Sequence, residues 1–83
     1  MKYWNELRTG LVVARRGTVS AAATELGVHR ATVNRHVEIL EEALGAKLFQ
    51  RTSKGYILTD EGREMLEVAK QADEMFSGLE GRT

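Results

Sequence analysis

The sequence predicts a mainly α-helical winged helix-turn-helix: three helices, a two-stranded β wing and a long C-terminal helix. Three observations favour this fold. Apolar residues recur at helical spacing after a glycine turn, an alanine-rich segment precedes that turn, and two β-prone runs around a glycine follow it. A tight turn between a small-residue helix and an amphipathic helix is typical of helix-turn-helix. We expect residues 1–58 to form the winged helix-turn-helix domain and residues 59–83 to form the long C-terminal helix.

The composition favours a small intracellular domain. Eighty-three residues suit one domain with a small core. The chain has no cysteine, which excludes disulfides, thiolate nucleophiles and cysteine-ligated zinc and is compatible with a reducing cytoplasm. We see no apolar run long enough for a signal peptide or a membrane span. We therefore expect a soluble, cytoplasmic protein with no membrane partner.

The net charge of zero hides a division along the chain. Residues 1–56 contain nine Lys or Arg and five Asp or Glu, whereas residues 57–83 contain three and seven. Attraction to a polyanion depends on the local field of a patch, so the average charge is the wrong measure. The basic part also contains the predicted helix-turn-helix, including the amphipathic helix that follows the glycine turn.

The first two predicted helices are bounded by glycines. A helix is expected from about Trp4 to Arg16, with Gly17 in the left-handed closing position. Gly10 lies inside this helix, where it should cost about 1 kcal/mol relative to alanine. Thr18 or Ser20 can cap a short second helix, whose alanines allow another helix to cross closely.

The third helix has one apolar face, formed by Val33, Val37, Leu40 and Leu44 at intervals of four, three and four residues. The helix begins after the turn that Gly27 opens, and its first half contains no acid. A helix of this kind enters the major groove through its N-terminal half. We predict that DNA contacts on and just before this half involve His29, Arg30, Ala31, Thr32, Asn34 and Arg35.

Several of these side chains suit base edges. Arg30 offers a bidentate fork suited to guanine, and Asn34 can pair with adenine. Ala31 or Thr32 can touch a thymine methyl group.

A hairpin is predicted next, from the runs at 47–51 and 56–58 joined by Thr52-Ser53-Lys54-Gly55. This hairpin would be the wing. Lys54 at its tip and Arg51 at its base are placed for a phosphate or the minor groove. The alternative for both is a solubilising surface charge.

Thr59 is expected to cap the last helix, with two acids in its first turn. The apolar positions of this helix cover about half its circumference, wider than one small domain needs. One side can pack on the domain and the other on a second chain. We predict a homodimer through Met65, Leu66, Ala69, Ala72, Met75, Phe76 and Leu79.

No catalytic constellation or cofactor site is evident in the sequence, so we expect no enzyme. His29 and His36 lie seven residues apart, about 10 Å along a helix, too far to grip one metal ion. Protonation of these histidines could make DNA binding sensitive to pH. The simpler interpretation is a pair that caps or forms hydrogen bonds.

The chain resembles the N-terminal DNA-binding domain of LysR-type transcriptional regulators from about Leu7 to Phe76. The specific part is the run Leu40–Arg51 followed by Leu58-Thr59-Asp60-Glu61-Gly62. The resemblance implies a winged helix-turn-helix that dimerises through its linker helix and binds an imperfect palindrome. It also implies an effector small molecule, bound through a domain absent from this chain.

The departures from this family fall at predicted contact positions. His29-Arg30-Ala31 stands where the family usually has Ser-Gln and a small residue or proline, and Asn34 and His36 stand where Ser and Gln are common. The family's base preferences therefore do not transfer unchanged. Gly10 replaces a large apolar residue, and we expect Trp4 or Tyr3 to fill the space.

The competing hypothesis is a winged helix that mediates only protein interaction or dimerisation, because the fold does not guarantee DNA binding. The charge pattern discriminates between the two. An interaction module has no need to exclude acids from residues 30–36 while gathering lysines and arginines around one surface.

Overall fold

The computed structural model describes residues 2–80, with the side chains described up to Met75. It confirms the predicted winged helix-turn-helix with a long last helix. The elements are α1 (Trp4–Arg16), α2 (Val19–Leu26), α3 (Arg30–Leu44), β1 (Phe49–Thr52), β2 (Gly55–Leu58) and α4 (Asp60–Glu80). None of the helices in the described part of the chain combines the length and apolarity needed to cross a bilayer.

The helix ends follow the sequence signals. Gly17, Gly27 and Gly45 each close a helix in the left-handed conformation, a conformation that side chains with a Cβ adopt at a cost. Of the two predicted caps for α2, Thr18 is the one used, since its hydroxyl accepts from the Ala21 N–H at 3.1 Å. The turns of the helix-turn-helix are thereby fixed locally.

The core lies where α1, α2 and α3 meet, and both the wing strand β1 and α4 close it. Its largest fully buried side chains are Leu11, Val13, Val33 and Leu48. The alanines of α2 contribute Ala22 and Ala23, and α4 contributes Met65 and Ala69. Because the first half of α4 completes this core, the domain holds α4 in a fixed direction.

Two packing predictions are corrected by the structure. Leu44 is 54% exposed because it is the last residue of α3 and lies at the edge of the core, facing an open groove beside α4. The space beside Gly10 is filled by the Met65 side chain, whose Cε would lie 3.3 Å from an added Cβ, and by Leu40. The nearest atoms to this glycine thus belong to Met65 and Leu40 and not to Trp4 or Tyr3.

The wing is an antiparallel hairpin in which Arg51 pairs with Tyr56 and Thr52 with Gly55. It is docked on the rest of the domain, because the Tyr56 N–H donates to the Gly17 carbonyl at 2.8 Å. At Gly55, φ is 130° and an added Cβ would lie 2.3 Å from the Gly17 oxygen. Glycine at this position is what lets the wing approach the turn between α1 and α2.

Candidate nucleic-acid interface

The N-terminal half of α3 is anchored by its apolar face and exposed elsewhere. Val33, Val37 and Leu40 are at most 6% exposed, so they fix the rotation of the helix about its axis. Among the predicted contact residues, the exposed side chains are those of His29, Arg30, Ala31 and Arg35, and the half-buried ones are those of Thr32 and Asn34.

The wing brings two further predicted residues to this surface. Lys54 is exposed at the hairpin turn. Arg51 contacts α3 from the wing, because its Nη2 lies 3.4 Å from the Asn34 Oδ1. Its guanidinium also lies over the Tyr56 ring, 5.4 Å from the centroid. We call the seven exposed or α3-facing residues the recognition surface: His29, Arg30, Ala31, Asn34, Arg35, Arg51 and Lys54.

A cleft of about 350 Å³ runs between the start of α2, the start of α3 and the wing. It brings together Arg30, Asn34 and Arg51 from the predicted set, with Thr18, the cap of α2, and Ser20. Lys54 is not among the residues that line it. The cleft has the polar and cationic lining that suits a phosphate or a base edge.

The cations of the recognition surface keep their charge available. Ion pairs among the described side chains join Arg16 to Glu25, Lys47 to Glu41 and Arg63 to Asp60. Within that described set, no carboxylate is paired with Arg30, Arg35, Arg51 or Lys54. The field near this surface is therefore positive although the chain is neutral.

Tyr56 is a residue of this site that the sequence reasoning missed. Its hydroxyl lies 3.2 Å from the Asn34 Oδ1, and its ring packs against Phe49 with centroids 5.6 Å apart. The signal available in the sequence was the hairpin register, which places position 56 opposite Arg51. Whether the Tyr56 side chain reaches α3 depends on how the hairpin docks on the domain, and no local sequence pattern predicts that docking.

The two histidines have different environments. His29 begins α3 in an extended conformation and makes no side-chain capping hydrogen bond. His36 is half-buried, and its Nδ1 lies 2.7 Å from the Thr9 hydroxyl on α1. The hydrogen-bonding interpretation therefore holds for His36, whereas the capping interpretation is wrong for His29. Over the described residues, no group of three or more potential ligands is arranged to hold a metal ion.

The predicted dimerisation residues divide between the core and the surface of α4. Met65 is 5% exposed and Ala69 1%, so both are occupied by the core of their own chain, and their assignment to a partner-facing surface is corrected. Leu66 and Ala72 are half-buried, and Met75 is 72% exposed. The side chains of Phe76 and Leu79 lie outside those the structure describes.

The exposed side of α4 also includes a residue outside the predicted set. Val68 is 56% exposed, and it borders a groove of about 540 Å³ between α1, α3 and α4. The apolar lining of this groove includes Leu7, Ala43 and Leu44. Exposed apolar side chains thus lie along α4 and, at Leu44, at the end of α3, and we call them the exposed band of α4.

Comparison with known proteins supports the class that this fold and surface indicate. Residues 4–63 match the family model described as bacterial regulatory helix-turn-helix protein, lysR family. The chain is 44% identical over 73 residues to the HTH-type transcriptional activator AmpR of Rhodobacter capsulatus, covering 88% of this chain and 25% of that protein. It is 39% identical over 67 residues to the HTH-type transcriptional regulator DmlR of Escherichia coli K12, covering 81% and 22%.

Solved structures agree with the sequence comparison. The DNA-binding domain of CbnR in complex with DNA superposes with a TM-score of 0.87 at 32% identity, covering 95% of this chain and 91% of that one. The structure of CbnR, a LysR family transcriptional regulator, gives a TM-score of 0.88 at 32% identity, covering 95% of this chain and 27% of that one.

The chain belongs to the lysR family of bacterial regulatory helix-turn-helix proteins. The predicted family, its winged helix-turn-helix fold and the general role of a DNA-binding transcriptional regulator are thereby confirmed. The chain spans about a quarter of the length of the curated relatives it matches.

Proposed function

We propose that this chain binds double-stranded DNA sequence-specifically, as a homodimer on an imperfect palindrome. The N-terminal half of α3 enters the major groove, and the wing lies on the backbone or in the minor groove. The observation that carries the proposal is the recognition surface, where four cations surround the first half of α3 in a chain of zero net charge and, among the described side chains, have no carboxylate partner. The similarity to a regulator domain solved in complex with DNA supports DNA binding by this chain.

The residues of this surface have different proposed roles. Arg30 and Arg35 are exposed on α3, and their guanidinium groups suit guanine edges. Ala31 and Thr32 are small enough to meet a thymine methyl group. Lys54 on the wing neutralises phosphate, and it contributes affinity without sequence information.

The relatives are longer than this chain. We propose that, in the whole protein, a separate domain binds an effector small molecule. The regulator would act on DNA in the bacterial cytoplasm. These statements rest on family membership and on the share of the relatives that the chain covers.

The homodimer is proposed to form through the exposed band of α4, with Val68 and Met75 at its centre. These are two of the most exposed large apolar side chains described, and burying them on a second copy removes apolar surface from water. The neighbouring groove, bordered by Leu44, gives a second copy further apolar surface to cover.

The test compares two cation variants against duplexes selected from a random pool. Arg35→Ala should weaken binding by about 1–3 kcal/mol and relax preference at one base position, because it removes a base contact. Lys54→Ala should weaken all duplexes alike and reduce the salt slope by about one, because it removes a phosphate contact. Fluorescence anisotropy at several salt concentrations measures both effects.

The matched control is Lys70→Ala, which removes an exposed lysine from α4 and should leave affinity and sequence preference unchanged. Equal behaviour of the Arg35 and Lys54 variants on all sequences would contradict the assigned roles. A folded wild-type chain that enriches no sequence and shows no salt-dependent binding would instead point to a protein-interaction module.

A further inference from the structure

The side-chain amide of Asn34 on α3 is held by the wing. Its Oδ1 accepts hydrogen bonds from the Tyr56 hydroxyl at 3.2 Å and from the Arg51 Nη2 at 3.4 Å. A guanidinium group has donors and no acceptor, so the atom that faces Arg51 has to be the amide oxygen rather than the nitrogen. The chemistry of the partners thus fixes which end of the amide faces the wing.

This arrangement leaves Asn34 with donors only. A carbonyl oxygen has two lone pairs, and here the two wing residues occupy both. Pairing of asparagine with adenine needs the oxygen to accept from N6 while the nitrogen donates to N7. With Oδ1 occupied, the Nδ2 hydrogens of Asn34 are what remain for a base.

Tyr56 is well placed to hold this amide. Its ring lies against Phe49, and its own N–H donates to the Gly17 carbonyl at 2.8 Å. The hydroxyl is therefore carried on a half-buried, docked strand, and not on a free side chain. Its hydrogen bond to Asn34 joins the wing to the recognition helix.

We infer, resting on the proposed function, that Tyr56 is a positioning residue that makes Asn34 select guanine over adenine. Guanine presents two acceptors, N7 and O6, to the major groove, and these match the two hydrogens of the Asn34 amide nitrogen. Adenine presents an amino group beside N7, so its hydrogens would face an oxygen that already has two donors. This reverses the base preference expected for an exposed asparagine.

The experiment is selection of duplexes from a randomised pool by the wild-type chain and by three variants. Asn34→Ala identifies the base position concerned, because preference is lost there. At that position the wild type should enrich guanine. Tyr56→Phe keeps the ring and frees one lone pair of Asn34, so the adenine-to-guanine enrichment ratio should rise at least tenfold.

Tyr3→Phe is the matched control, since it removes a tyrosine hydroxyl outside the recognition surface and should keep the wild-type preference. A readout without DNA accompanies the selection. In the NMR spectrum of the free chain, the Asn34 side-chain amide resonances should move in Tyr56→Phe and stay in place in Tyr3→Phe.

Two results would overturn the inference, and they differ in whether the proposed function also fails. A wild type that enriches adenine at the Asn34 position, with no change in Tyr56→Phe, would reject the role of Tyr56 and leave specific DNA binding intact. A wild type that enriches no sequence would reject the proposed function, and this inference with it.

Discussion

The Thr9 hydroxyl joins the first helix to the recognition helix through a hydrogen bond with His36. It is 3% exposed and donates its hydrogen to the Asn5 carbonyl at 3.0 Å. The Thr9 Oγ1 also lies 2.7 Å from the His36 Nδ1, and this hydrogen bond joins residues 27 positions apart in the chain.

We expect Thr9→Val to lower the free energy of unfolding by about 1 kcal/mol, because it removes a hydroxyl that two polar partners use in a buried setting. Chemical denaturation followed by circular dichroism measures the change. Thr24→Val is the control, since Thr24 makes a similar bond to the Ser20 carbonyl but is exposed, and we expect a change of about 0.5 kcal/mol or less. Equal losses in the two variants would show that the link to His36 adds no stability.

At the scale of elements, the start of α4 is locked to the segment that leads into the wing. The Thr59 hydroxyl accepts from the Gly62 N–H at 3.0 Å and donates to the Lys47 carbonyl at 2.6 Å. The Thr59 N–H donates to the Leu48 carbonyl at 3.0 Å. An added Cβ at Gly62 would lie 2.0 Å from that same carbonyl oxygen. The helix can approach this closely because position 62 has no side chain.

Two glycine-to-alanine changes in helices should therefore have opposite effects. Gly62→Ala should lower the free energy of unfolding by about 3 kcal/mol, because the Leu48 backbone has to move. Gly10→Ala should raise it by about 0.5 kcal/mol, because the helix-propensity gain of about 1 kcal/mol exceeds the cost of shifting the flexible end of Met65. Thermal and urea unfolding of the two variants measure the change in the free energy of unfolding and its sign for each. A loss of stability in Gly10→Ala would show that Met65 cannot adjust.

The order and type of the elements could be predicted because each depends on local signals. Gly17, Gly27 and Gly45 end helices, Thr18 and Thr59 begin them, and helical spacing gives the buried face of α3. Local signals did not predict the contacts between elements. The hydrogen bond from Tyr56 to Asn34 joins residues 22 positions apart and requires the wing to dock, and the burial of Met65 depends on a glycine in α1. The exposed cations of α3 could be predicted, whereas the donor-only state of Asn34 could not.

At the scale of the whole molecule, three of the exposed large apolar side chains lie on α4 and at the end of α3. Val68 and Met75 on α4 and Leu44 at the end of α3 are all more than half exposed. A small domain gains stability from a partner that covers such a band. The recognition surface lies on a different part of the molecule, at the other end of α3.

We expect Val68→Glu to convert the proposed dimer to a monomer of about 9.3 kDa, because a carboxylate would be buried without a partner. Size-exclusion chromatography with light scattering at micromolar concentration measures the mass. Ile57→Glu is the control, since Ile57 is equally exposed, at 55% against 56%, but lies on the wing. A monomeric wild type would refute the proposed dimer.

Gly62 packs closely against the Leu48 carbonyl, and this contact fixes the direction in which α4 leaves the domain. In the proposed dimer through α4, that direction would set the distance between the two recognition helices. A site whose halves are spaced differently has to bend or twist its own duplex to engage both. That deformation costs an amount that depends on the base steps between the halves, so the proposed dimer would also select the uncontacted centre of its operator.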